Sequence, residues 1–118
     1  MESLTYETLV PRLVEIVPDL PLDADDVADS RAYQVFSDLM RFVSSTIEPG
    51  GNNELLTKIF CFIEVAAETK DVQVQDVLQD ALYQIAVAPI EKTESAKKYM
   101  GPKTQKLFRQ LEAQLYRG

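Results

Sequence analysis

Four aspartates within seven residues, Asp23, Asp25, Asp26 and Asp29, are the densest set of side chains in this chain that could hold a hard cation, since Ca2+ is bound by clustered oxygens. The spacing does not fit a calcium loop: no glycine stands at the sixth position, Gln34 stands where a twelfth-position glutamate is needed, and Pro18 and Pro21 precede the cluster in place of an incoming helix. A solvated loop or a partner-facing surface is the better reading. Two further carboxylate pairs, Glu64 with Glu68 and Asp76 with Asp80, are one helical turn apart, the spacing of a carboxylate-bridged metal site. A di-iron bundle also needs Glu-x-x-His pairs, and the chain contains no histidine, so both pairs read as solvated helix faces. The missing histidine also removes the commonest general base. Cys61, between Phe60 and Phe62, is expected to be buried, inert packing, and a lone cysteine makes neither a zinc site nor an internal disulfide. No glycine-rich phosphate loop is present, because Gly50 and Gly51 follow Pro49 and no strand. No enzyme, no cofactor and no metal are expected.

Charge is distributed unevenly around these residues. The first thirty hold eight acids (Glu2, Glu7, Glu15, Asp19 and Asp29 among them) against the single base Arg12, which equals the whole net charge of −7. Residues 92–118 reverse the sign, with seven bases against two acids. Such a gradient steers partners and orients docking. A pI near 4.5 argues against nucleic acid or anionic lipid as the main ligand. The basic run Lys92, Lys97, Lys98, Lys103, Lys106 and Arg109 is interleaved only with Tyr99 and Phe108, and reads as a helix end facing acidic neighbours. The acidic segment is free either to lie over that basic end or to face a partner.

The elements that position these residues follow from apolar periodicity. At 118 residues, 46% apolar and 26% charged, the chain reads as one domain, 1–118, with one core. Leu9, Leu13 and Ile16 place a first helix over 5–17, capped by Ser3 or Thr5, with Pro11 as a kink or true start. Residues 18–30 read as an acidic, proline-bracketed loop with one short turn. Phe36, Leu39, Met40, Val43 and Ile47 mark a second helix over 31–47, capped by Ser30 and stopped by Pro49, Gly50 and Gly51. Asn52 or Asn53 starts a third with a broad stripe, Leu56, Ile59, Phe60, Ile63, Ala66 and Ala67, so broad that a central helix is expected. Val74, Val77, Leu78, Ala81, Leu82 and Ile85 define the fourth, whose short link from the third sets the two antiparallel. Pro89 ends it; a short helix over 94–100 and a last one beginning at Pro102 with Leu107, Phe108, Leu111 and Leu115 complete the count. The prediction is an all-α single-domain bundle of five to six helices.

The third and fourth helices, KIFCFIEVAAETKDVQVQDVLQDAL, resemble a HEAT-type antiparallel helical hairpin. With the later YMGPKTQKLFRQLE, they are similar to a family of small uncharacterised bacterial all-helical proteins that carry an "FIE" helix, a "D-x-x-V-Q" turn and a terminal "GPK" helix start. The similarity spans roughly residues 33–115. Some members of such families are found beside polymorphic toxins, so the resemblance implies a cognate immunity protein.

The expected function is therefore a bacterial immunity protein that binds a toxin domain with a basic surface and occludes it, using Asp23, Asp25, Asp26 and Asp29, with Tyr33 as an aromatic anchor. The alternative is a helical adaptor or regulatory interaction module. No apolar stretch approaches the roughly 18–20 residues of a membrane span, and the N-terminus has neither the basic nor the apolar region of a secretory signal, so a cytoplasmic, membrane-free protein is expected.

Overall fold

Asp23, Asn53 and Asp71 each hold an extended backbone and turn one side-chain oxygen onto the amides two and three residues ahead, satisfying donors that a helix start leaves orphaned. Those three caps begin the second, fourth and fifth of the seven α-helices among the described residues: α1 (Tyr6–Ile16), α2 (Ala24–Ala28), α3 (Ala32–Thr46), α4 (Glu54–Ala67), α5 (Val72–Ala86), α6 (Ile90–Lys97) and α7 (Pro102–Tyr116). The computed structural model describes residues 4–48, 51 and 53–116. Ser3 and Asn52, considered as caps, and the breakers Pro49 and Gly50 lie outside them. Among the described residues there is no strand.

The all-α expectation holds, with more helices than the five to six expected because the turn in the acidic loop closes into α2. Thr5 starts α1 through a reciprocal pairing with Thr8, and the helix continues through Pro11. Ser30 does not cap α3. It stands at φ 51°, just past α2, where its amide donates to the Val27 carbonyl (3.1 Å) and the Arg31 amide donates to the Asp26 carbonyl (2.9 Å). Those two bonds make the left-handed helix stop usually built on glycine, and they consume the backbone freedom that an N-cap would need. The short helix expected over 94–100 instead begins at Ile90, with the Pro89 carbonyl accepting from the Lys92 and Thr93 amides. The helix also ends earlier than expected, at Lys97 with Lys98 as its C-cap and not at Gly101, while Pro102 occupies the first position of α7, as the sequence suggests.

One continuous core joins the helices, with Phe36, Phe60 and Phe108 its largest fully buried side chains. Every residue of the stripes read on α3 and α5 is buried. Fully burying such side chains stabilises by about 1.5–3 kcal/mol each. The central helix is α5, not α4: it touches α1, α3, α4, α6 and α7, and its closest packing is on α3. Tyr99 bridges separate segments, its ring stacked on Phe60 at 5.8 Å while its hydroxyl accepts from the Asn53 amide (3.0 Å) and donates to the Gly51 carbonyl (3.1 Å). No helix among the described residues is long and apolar enough to cross a membrane.

Candidate functional site

The acidic loop is ordered by its own charges. The Asp23 carboxylate accepts from the Asp25 amide (2.9 Å) and the Asp26 amide (3.0 Å), so its negative charge sits on the positive end of α2. Asp26 and Asp29 both reach Arg31, at 3.4 and 3.2 Å, while Asp25 is exposed. The four aspartates therefore do not converge on one point. Among the described residues no group of three or more acidic or cysteine side chains is placed to hold a metal. Tyr33, two residues beyond Arg31 in the first turn of α3, is 41% exposed.

Around Tyr33 the structure adds Asp76 and Asp80, which are solvent-exposed as their helical spacing suggests. Desolvation and then the charges of Asp76 and Asp80 on α5 raise the Tyr33 phenol above its ordinary pKa, with Tyr6 also contributing. Val72, Asp76, Asp80, Tyr83 and Val87 run along the exposed side of α5, four or three residues apart, so they form one ridge. Val72 is 71% and Val87 56% exposed, and Ile90 continues the apolar exposure into α6. The signal was present in the sequence as a second, mixed stripe beside the buried one. The resulting surface alternates carboxylates with aromatic and aliphatic groups.

A second carboxylate reassigned by the structure is Glu64. Its Oε1 accepts from the Thr104 amide (2.9 Å) and hydroxyl (2.8 Å), and its Oε2 accepts from the Lys103 amide (3.0 Å), so α4 caps the start of α7. Desolvation pushes its pKa up, but these hydrogen bonds and the Lys103 charge outweigh it, and Glu64 lies below the usual carboxylate value. Asp71 and Gln75 are equally architectural. One Asp71 oxygen caps α5 while the other accepts from the Tyr6 amide (2.9 Å), and the Gln75 amide donates to the carbonyls of Ala67 (3.1 Å) and Thr69 (2.8 Å). The "FIE", "D-x-x-V-Q" and "GPK" segments thus join helices to one another.

Cys61 is exposed, correcting the expectation of a buried thiol. Successive helical residues turn by about 100°, so lying between Phe60 and Phe62 in sequence does not place Cys61 on their face. It opens into a groove of about 510 Å3 between α1 and α4, lined also by Leu4, Arg12, Ile16, Lys58, Phe62 and Val65. At the opposite end of the chain, the Lys97 ammonium bridges Glu112 (3.2 Å) and Glu94 (3.6 Å) and stands 5.8 Å from the Phe108 ring centre. Burial lowers the Lys97 pKa, but the two carboxylates more than offset this and hold it above the ordinary lysine value. The acidic and basic ends of the chain each carry ion pairs formed close at hand.

No curated protein and no solved structure matches this chain. Residues 7–117, nearly its whole length, match the domain of unknown function DUF7674, and the chain therefore belongs to that family.

Proposed function

We propose that this protein is a cytoplasmic immunity protein that neutralises a bacterial toxin domain by covering it. It acts by binding and not by catalysis, through contact with a basic protein surface and not with nucleic acid or a membrane. The observation that carries this reading is the surface around Tyr33: an exposed aromatic on α3, which packs against α5 so that Tyr33 feels the charges of Asp76 and Asp80, with Asp25 and Asp29 exposed in the segment just before it. Tyrosine is enriched at interface hot spots, and a dense acidic field speeds encounter with a basic partner. The similarity of the FIE, D-x-x-V-Q and GPK segments to proteins found beside toxins supplies the partner class. Asp25 and Asp80 are the informative positions, because Asp26 and Asp29 also pair with Arg31.

The test is co-purification with the toxin domain encoded next to it, followed by titration at several salt concentrations. Asp25→Lys combined with Asp80→Lys should weaken the complex at least about tenfold and flatten its salt dependence. Unchanged affinity and an unchanged salt slope would reject the surface. The second reading, a helical adaptor, draws on the exposed apolar residues Val72, Val87 and Ile90. An adaptor leaves its partner's activity intact, whereas an immunity protein abolishes it, so a toxin activity assay separates the two.

A further inference from the structure

We infer that the groove between α1 and α4 is a binding site for a small anionic amphiphile: one carboxylate on a linear aliphatic tail. Its volume of about 510 Å3 falls within the range of small-ligand sites, roughly 300–1,000 Å3. The lining is sorted along α4. Lys58 stands near its start, Cys61 and Phe62 follow one turn later, and Val65 a turn beyond, about 10 Å from Lys58 by helical rise. Ile16 of α1 supplies further apolar wall, and Ile16 and Val65 are 49% and 57% exposed, apolar area that an occupant would remove from water.

Charge complementarity identifies the occupant. Lys58 and Arg12 both line this groove in a chain whose net charge is −7, and Arg12 already pairs with Glu15 at 3.7 Å, so Lys58 supplies the charge that an occupant can meet. Among the described residues the Lys58 ammonium makes no hydrogen bond or ion pair. A carboxylate satisfies it while the tail runs over Phe62 toward Val65.

Cys61 makes the test direct, because it lines the groove and is the protein's sole thiol. Sodium decanoate, decanol and decyltrimethylammonium are added to the full chain, each below its micelle threshold, and the rate of Cys61 alkylation by iodoacetamide is followed. Decanoate should protect saturably, slowing alkylation at least about fivefold. Exposed Lys58→Gln should weaken the decanoate effect about tenfold and leave any effect of decanol unchanged. Absence of saturable protection, equal protection by decyltrimethylammonium, or insensitivity to Lys58→Gln overturns the assignment. Concentration-dependent protection without amphiphile, matched by dimers in sedimentation, would assign the groove to a second copy. Tighter protection by an acidic amphipathic peptide would assign it to a partner helix. Both of those outcomes also overturn the proposal, and neither bears on the Tyr33 surface.

Discussion

Glu64 occupies the space that a side chain at residue 101 would need: a Cβ added to Gly101 would lie 2.5 Å from the Glu64 Cδ and 2.6 Å from its Oε1. The glycine is required by a neighbour from another helix, not by backbone conformation. Gly101→Ala should therefore destabilise the protein by about 1–3 kcal/mol, as overpacking does. In a Glu64→Ala background the same substitution should cost much less, because the obstructing carboxylate is gone. Urea unfolding of the two single variants and the double variant measures this coupling directly, and additive effects would contradict it.

Acid should loosen the same contact. The folded pKa of Glu64 is below its ordinary value of 4.5, so the ionised carboxylate contributes stability that is complete above that value and is lost as pH falls through the lower folded pKa. The stability gap between the wild type and Glu64→Gln should stay constant from neutral pH down to 4.5 and close below it. Chemical denaturation at a series of pH values checks the sign.

Ser30 offers a stabilising change. At φ 51° it holds a left-handed conformation that favours glycine. Ser30→Gly should raise stability by about 0.5–1 kcal/mol after the added freedom of the unfolded chain is counted, and the β-branched Ser30→Val should lower it. Thermal midpoints of the two variants should move in opposite directions.

Tyr33→Ala should separate binding from folding. The side chain is 41% exposed, so the unfolding midpoint should change little, whereas affinity for the basic partner should fall by about 2 kcal/mol if Tyr33 is the anchor. Calorimetry of the complex beside a thermal melt of the free protein distinguishes the two effects.

The parts of the fold that sequence reading reached are those in which one helix face is buried. Phe36, Leu39, Met40 and Val43 on α3, and the Val74 to Ile85 stripe on α5, leave a 3/4 periodicity because every turn contributes to the core. The start of α6 carries no such stripe: what it buries there is Thr93, Ser95 and Ala96, and its start is set by Pro89. Ser30 is ambiguous in the sequence because a serine before a helix has the same local chemistry whether it caps that helix or ends the previous one, and the outcome depends on how the chain reverses. Asp25 and Tyr33 are exposed as expected, but the grouping of Tyr33 with Asp76 and Asp80 depends on α3 packing against α5, a relationship between residues more than forty positions apart. Glu64 had no distinguishing mark within its own helix; its role becomes visible only when α7 arrives.

The two attachments at the start of α1, Tyr6 to Asp71 and Leu4 to Thr69, each span 65 positions. During synthesis the first helix emerges long before the turn that receives it. At about 5–20 residues per second, that delay is roughly 3–13 s. Throughout it Leu9 and Leu13, later fully buried, can be covered by α3 and α4 but not yet by α5. The eight acids of the first thirty residues give neighbouring nascent chains a like-charge repulsion that opposes their association over that interval.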